Sequence, residues 1–353
     1  MESLFKKIIV ALLAAGFPEP EAINRLAGDA SNREYYRVFL PSTDYPSIVV
    51  MVLNEDRLAV SEEIEDSQDI EIDEHPFVNV RKLLSEIGIN VPEILFFHEK
   101  MGVMGLQDVG DCILENYVKN GNPFRKYYED AVDILVKLHT GKVDGKKYIP
   151  FRKKFGFNLF FWEFEHYLEY GLEENGFEIT PEERESLLMM FHELSARYVT
   201  YPYALTHRDF HSRNLMIFDE KIYVIDFQDA LMGPWHYDLA SFLRDAYVEI
   251  EDDFMDELIE RYLHGMKREL GVEIDRDKFR QDFELMAFQR NLKAIGRFYY
   301  LKMVKGKPHL VKYVPTLYKY VFKYIDKYPQ LEPLGNVLDR NKNLLKKLLM
   351  NPS

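Results

Sequence analysis

The chain has 353 residues, 47% of them hydrophobic, with a formal net charge of −14 and one cysteine. That length supports two lobes, each with a core of its own, and no segment reaches the length of a membrane span. The charge argues against a nucleic-acid partner, which calls for a basic face, and Cys112 alone allows no internal disulfide, which fits a reducing compartment.

Residues 1–16 carry lysines at 6 and 7 ahead of an apolar run, a superficial likeness to a signal peptide. Yet Leu4, Ile8, Leu12 and Phe5, Ile9, Leu13 recur at helical spacing, with Glu2 and the lysines on other faces. The segment is therefore expected to be an amphipathic helix packed on the fold of a cytoplasmic protein. After Pro18 and Pro20, strands are expected at 23–27 and 34–40 around the small-residue turn Gly28-Asp29-Ala30-Ser31-Asn32. Such a turn can fold over phosphates, because small side chains let backbone N–H groups approach them. One glycine in a hairpin is also ordinary turn chemistry. Arg33 and Arg37 follow, either as phosphate contacts or as solvated strand residues. A third strand is expected at 47–53, and 55–74 is an acidic run read as a solvated loop with some helix. From Pro76, Phe77, Val80, Leu83, Leu84 and Ile87 mark a helix ending at Gly88. Strands at 94–97 and 103–106 lead to the polar exit Gln107-Asp108-Val109-Gly110-Asp111, expected to be a hinge at 107–110. Beyond it, helical spacing recurs at 124–139, 160–170, 181–198, 237–246, 253–270, 278–303 and 310–328, with Thr180 capping the start at Pro181.

The most informative stretch is His207-Arg208-Asp209-Phe210-His211-Ser212-Arg213-Asn214, of the form H-R-D-x-x-x-x-N, followed by Tyr223-Val224-Ile225-Asp226-Phe227-Gln228-Asp229. Residues 215–218 and 222–225 read as two short strands joined by a turn at Asp219-Glu220, and that hairpin carries Asn214 back beside Asp226. Phosphoryl transfer from a nucleotide needs a carboxylate near the attacking hydroxyl and hard oxygen ligands for magnesium on the phosphates. Asp209 fits the first role, and Asn214 with Asp226 fits the second. Taken singly, such residues often only cap and hydrogen-bond backbone; together, at this spacing and in this strand-turn-strand setting, they point to a phosphotransferase. The acidic chain repels an anionic nucleotide, which must then be held by local donors and metal.

These stretches, with Gly28-Asp29-Ala30-Ser31, Tyr35-Tyr36-Arg37, Pro76-Phe77-Val78, Gly88-Ile89, Val91-Pro92, Gly233-Pro234, Tyr237-Asp238 and Gln289-Arg290-Asn291-Leu292-Lys293, resemble the aminoglycoside-phosphotransferase and choline-kinase superfamily, relatives of protein kinases. The resemblance covers nearly the whole chain. Within the superfamily it is greatest to bacterial kinases that phosphorylate N-acetylmuramate and N-acetylglucosamine at the anomeric carbon in cell-wall sugar recycling. It implies an α+β, two-lobed, protein-kinase-like fold, with a small antiparallel-sheet N-lobe at 1–107 and a mostly helical C-lobe at 108–353. It implies ATP and Mg2+ as cofactors, Asp209 as the catalytic base and Asn214 and Asp226 as metal ligands. Ser31, Asn32 and Arg33, with Arg37, are candidates for the phosphates, and Gln107, Asp108 and Val109 offer backbone groups to adenine. Arg213, Gln228, Asp229, Arg290 and Asn291 are placed around the sugar. Arg213 or Arg290 suits the lactyl carboxylate of N-acetylmuramate by bidentate pairing, or else an interhelical salt bridge. Asp238 is expected to brace the catalytic loop. The partner is a small-molecule sugar, with no nucleic acid or membrane, and a sugar-1-phosphate nucleotidyltransferase is the metabolic link.

Protein kinases place a phosphate-gripping lysine on the third strand, where this chain reads Ile48-Val49-Val50-Met51-Val52; the sugar kinases it resembles lack that lysine too. Three alternatives stay open. A kinase of another small molecule (an aminoglycoside, an amino alcohol or another sugar) is compatible with the acidic run at 62–74. A protein kinase is disfavoured by Asp226-Phe227-Gln228 in place of D-F-G and by the direct passage to Gly233-Pro234. A non-catalytic nucleotide-binding module is disfavoured by the intact Asp209, Asn214 and Asp226.

Overall fold

The opening apolar repeat folds as α1 (Glu2–Ala14), whose Ile8, Ala11 and Leu12 are buried against one face of a five-stranded antiparallel sheet. The structure, a computed structural model, describes residues 2–26, 33–41, 44–53 and 74–350; Ser31, Asn32 and nearly all of the acidic run lie outside the described residues. The strands are β1 (Ala22–Arg25), β2 (Glu34–Phe39), β3 (Ser47–Val52), β4 (Ile94–His98) and β5 (Val103–Gln107), in spatial order β1-β2-β3-β5-β4. Side chains alternate across a strand, and β3 divides accordingly. Ile48, Val50 and Val52 face α1, while Met51 turns the other way with Met104 and Leu106 of β5. That inner face packs on α2 (Pro76–Glu86) through Phe77, Val80, Leu83 and Leu84, and continues without a break into the core of the helical part. The sheet thus has a core of its own under α1, while its inner face shares the core of the helical part. A sheet has two apolar faces, and a single helix covers only the outer one.

The helical part contains α3 (Leu114–Lys119), α4 (Arg125–Thr140), α5 (Phe157–His166), α6 (Pro181–Tyr198), β6 (Tyr203–Thr206), β7 (Leu215–Phe218), β8 (Lys221–Val224), β9 (Leu231–Pro234), α7 (His236–Leu243), α8 (Asp252–Leu270), α9 (Arg276–Met303), α10 (Val314–Lys327), α11 (Glu332–Arg340) and α12 (Lys342–Met350). α6 starts on a capping box between Thr180 and Glu183. The helix anticipated at 160–170 is α5 followed by a π-helical turn, Tyr167–Leu172. α9 crosses there at Gly296, where a Cβ would come within 2.9 Å of the Tyr167 Cα, so only glycine allows the approach. The helix anticipated at 310–328 is a 3-10 turn, Pro308–Tyr313, running into α10, whose first turn holds Pro315; a proline is tolerated there and not in a helix interior. α3, α11, α12, β6 and β9 were not anticipated. β6 pairs antiparallel with β9 and so frames both ends of the segment 207–230. Within it β7 and β8 form the expected hairpin, closed by Asp219 and Glu220 at φ 48° and 58°, a two-residue turn matched to strand twist. Among the described residues no helix is long and apolar enough to cross a membrane.

Candidate active site

The loop that leaves β6 at Thr206 and ends at Asn214 is held by two buried carboxylates. Asp238, on α7, accepts the backbone N–H groups of His207 (2.6 Å) and Arg208 (3.0 Å). Asp245, just past α7, accepts those of Ser212 (2.8 Å) and Tyr247 (2.5 Å). Burial pushes both carboxyls up to about 6, a cost offset by the donors they satisfy. Arg208 sits at φ 79°, a strained region for a side chain of that size, and Asp238 is what holds it there. Asp238→Ala should therefore orphan two buried donors and lower the unfolding free energy by about 2–4 kcal/mol, after relief of the buried charge. Urea unfolding measures it; a midpoint and slope equal to wild type would show that the loop holds itself.

His207 ties this loop to the next one. Its Nδ1 accepts from the Asp209 N–H (3.3 Å), so its Nε2 is the donor to Ile225 O (3.0 Å). Asn214 Nδ2 donates to Asp209 O at 2.9 Å and Ile225 N to Asn214 O at 3.0 Å, which brings the amide beside the start of the Asp226 loop. Asp226 has φ 61° and its side chain opens into the cleft. Gln228 Nε2 donates to Asp226 Oδ1 (3.0 Å) and to Asp229 Oδ2 (2.8 Å), and Arg33 lies 3.7 Å from Asp226. Withdrawal from bulk water pushes the Asp226 carboxyl up; Gln228 opposes this, the facing Asp209 charge adds to it, and Arg33 lowers it again. An anion held at such a cost gains on meeting a cation. Among the described residues no group of three or more His, Cys, Asp or Glu side chains could hold a metal. The donor set here is one amide oxygen and one carboxylate, hard ligands that leave the remaining positions to phosphate and water; this fits magnesium.

The other side of Asp209 is lined by α9. Lys293 Nζ stands 3.3 Å and Arg290 3.5 Å from Asp209 Oδ1. Desolvation pushes the Asp209 carboxyl up, but Lys293 and then Arg290 outweigh it and hold the group well below the usual carboxylate range. Burial also lowers Lys293, and it drops His211 to about 3, leaving that imidazole uncharged. Arg290 is fixed by Tyr237 OH (2.5 Å) and Ser241 Oγ (3.1 Å); Glu163 accepts from Gln289 (2.5 Å) and Tyr237 (3.4 Å) behind it. Two buried polar atoms at this site have no partner among the described residues: Arg290 Nε, a donor, is available to an acceptor, and Gln228 Oε1, an acceptor, is available to a donor. Lys293 is the residue that reading the motif left out. Its signal was there in the helical spacing of Arg290 and Lys293, three apart on one face.

The remaining candidates divide. Arg213 is engaged with Glu115 (3.2 Å) and lies over the Tyr247 ring, while Glu115 also takes Lys119 (2.5 Å) and Tyr313 OH (2.8 Å). Asn291 is buried and donates to Arg244 O (3.0 Å). Arg37 is committed to Asp108 (2.7 Å) and Asp111 (2.7 Å), and Ser47 Oγ also donates to Asp108 (2.7 Å). Gln107 N–H is used by Glu93 O at 2.8 Å, and Val109 is buried. Asp209, Asn214, Asp226, Gln228, Asp229, Arg33 and Arg290 come together; Arg213 and Asn291 serve contacts between elements.

A small sheet over a helical body, with an acid-and-amide pair facing a lone carboxylate across one cleft, defines a kinase-like phosphotransferase. The chain belongs to the phosphotransferase enzyme family, whose sequence profile matches residues 22–273. It is similar to the N-acetylmuramate/N-acetylglucosamine kinase of Neisseria meningitidis serogroup B, 30% identical over 88% of each chain. It is also similar to the Pseudomonas aeruginosa protein of that name, 29% identical over 96% of this chain and 94% of the relative. Among solved structures, choline kinase LicA from Streptococcus pneumoniae superposes with TM-score 0.60 at 15% identity, covering 92% of this chain and 99% of the other. An ADP-bound aminoglycoside phosphotransferase, APH(2'')-Ib, does so with TM-score 0.56 at 16% identity over 90% and 96%. At those identities the structures share the fold with this chain.

Proposed function

We propose that this protein transfers the γ-phosphoryl group of ATP to the anomeric hydroxyl of N-acetylmuramate, N-acetylglucosamine or both. The reading rests on the relatives of that name, which match this chain over most of its length. The character of the acceptor side agrees with it. The groups within reach of Asp209 on α9 are cations, Arg290 and Lys293, which suit a neutral or anionic acceptor and repel an aminoglycoside or an amino alcohol.

In this reading Asp209 orients the acceptor hydroxyl and takes its proton. A carboxylate held acidic by two cations is a weak base, so the proton moves late, as a loose phosphoryl-transfer transition state allows. An anomeric hydroxyl is more acidic than an ordinary sugar alcohol, and so is matched to such a base. Asn214 and Asp226 would hold magnesium, which when bound neutralises charge on the phosphates. Arg33 leaves Asp226 for the nucleotide, and the backbone of 107–109 faces adenine. The resulting sugar 1-phosphate is the form that a nucleotidyltransferase consumes, a metabolic link without physical contact. The test offers ATP with N-acetylglucosamine and, separately, its 1-O-methyl glycoside, whose 6-hydroxyl is free. Only the first should be phosphorylated; comparable turnover of the glycoside would show that the acceptor is not the anomeric oxygen.

A further inference from the structure

The two cations that α9 turns toward Asp209 are held in different ways. Both meet the same oxygen, Oδ1, Lys293 Nζ at 3.3 Å and Arg290 at 3.5 Å. Arg290 is 7% exposed and locked from behind by Tyr237 OH and Ser241 Oγ. Lys293 is 18% exposed, beside a carboxylate that is itself 41% exposed, and among the described residues Asp209 is its one hydrogen-bonding partner. An ammonium carries three donors. Two of them are therefore left without a protein acceptor, where burial, and then Arg290, already push the group below the usual lysine range against the pull of Asp209. Such a cation is stabilised by an arriving anion.

Phosphoryl transfer to a hydroxyl on Asp209 delivers one. That hydroxyl lies about 2.7 Å from the carboxylate and the phosphorus it attacks about 3–3.5 Å beyond, so the transferred group comes within roughly 6 Å of Asp209. Its charge is then spread over three equatorial oxygens. A flexible four-carbon stem lets an ammonium that already stands at Asp209 follow those oxygens, which a locked guanidinium cannot do. The third strand of the sheet offers no cation in its place: β3 reads Ile48-Val49-Val50-Met51-Val52 between Ser47 and Leu53. Arg37 is committed to Asp108 and Asp111, and Arg33 stands at Asp226.

Resting on the phosphotransfer reading above, we propose that Lys293 is a catalytic residue that binds the phosphoryl group in flight, joining its equatorial oxygens to Asp209. Arg290 fixes Asp209 Oδ1 and leaves Oδ2 to the acceptor. The acceptor oxygen forms its bond to the γ-phosphorus as the bond from that phosphorus to the β–γ bridging oxygen breaks. ADP departs with the electron pair of the broken bond, and the hydroxyl proton goes to Asp209. Lys293 stays protonated throughout; its contribution is electrostatic and is the same for either amino sugar.

The experiment uses the full chain as wild type, K293M and K293R, with K293M also combined with D209N. K293M should lower kcat by about 10²–10³-fold, the scale of one preorganised donor at developing charge. The factor should be the same for N-acetylglucosamine and N-acetylmuramate, with the KM of ATP and of each sugar little changed. K293R should recover part of the rate. A merely positioning role acts through Asp209, so in D209N, which has no base to place, the single-turnover rate should still fall when K293M is added. Orthovanadate on the Mg-ADP complex mimics the group in flight with no sugar present. Its affinity should fall roughly ten- to hundredfold in K293M while Mg-ADP binds as in wild type, which also reports that the variant is folded. Unchanged kcat, no further loss in D209N, or equal vanadate affinity in the two proteins overturns the assignment. So does a loss confined to the KM of N-acetylmuramate, which would make Lys293 a reader of its carboxylate. A wild type that phosphorylates neither sugar sinks the amino-sugar reading alone, and vanadate affinity then decides on Lys293.

Discussion

Asp209→Asn should lower kcat by about 10²–10⁴-fold, the range of a positioned general base, while leaving Mg-ATP affinity close to that of wild type. The side chain faces Lys293 and Arg290, on the side assigned above to the acceptor, whereas in the proposed reading Asn214, Asp226 and Arg33 take the nucleotide and its metal. The amide keeps the size of the carboxylate but cannot take a proton. Single-turnover rates separate this from a binding defect, and calorimetry of ATP supplies the affinity. Turnover within a few-fold of wild type would remove Asp209 from the chemistry. The same geometry sets the pH dependence. Because the two cations hold Asp209 below the usual carboxylate range, it stays ionised as pH falls, and its protonation should not limit kcat/KM above about pH 4. An acid limb near pH 6 would belong to another group.

Asp226→Ala should act on both nucleotide binding and rate. In the proposed reading it removes one of two hard oxygen ligands, and a metal supplies several kcal/mol of charge stabilisation in phosphoryl transfer, so a loss of roughly a hundredfold or more in kcat is expected. The dependence of ATP affinity on magnesium should weaken in parallel. Metal-free ATP binding should hold or rise, since the substitution releases Arg33 from its 3.7 Å pairing with Asp226. Calorimetry with and without magnesium decides the matter, and an unchanged magnesium dependence would make Asp226 structural.

What could be read from the chain beforehand was local. The β7–β8 hairpin, the helix from Pro76 and the capped start at Pro181 each announce themselves within a few residues, through alternation, spacing or turn chemistry. Asp209, Asn214 and Asp226 were legible for the same reason, because a short hairpin brings them together. The structure adds what depends on distant partners. Lys293 reaches Asp209 only because α9 docks with that face inward, 84 positions along the chain. Asp245 braces Ser212 across 33 positions, and Arg37 grips Asp111 across 74. β6 and β9 are four residues each, too short for any pattern, and they exist because they pair with each other. α11 carries Pro333, Gly335 and Asn336, which read as a loop, yet Leu334, Val337 and Leu338 bury one face of it. Packing overrode propensity there.

The unbroken core beneath the small sheet bears on how the cleft can move. Phe77 of α2 lies 4.7 Å, ring to ring, from Phe227 beside Asp226, and Met51, Met104 and Leu106 belong to the same apolar mass as the helical body. The connection after β5, the obvious place for a swing, is clamped to β2 by Arg37, which holds Asp108 and Asp111 at once. A rigid swing of the sheet away from the helices would expose that shared apolar surface to water, at roughly 25 cal/mol for each Å² uncovered. For the proposed reaction the expected motion on nucleotide entry and product release is therefore shear, with packed layers sliding over one another by small steps while their contacts are kept.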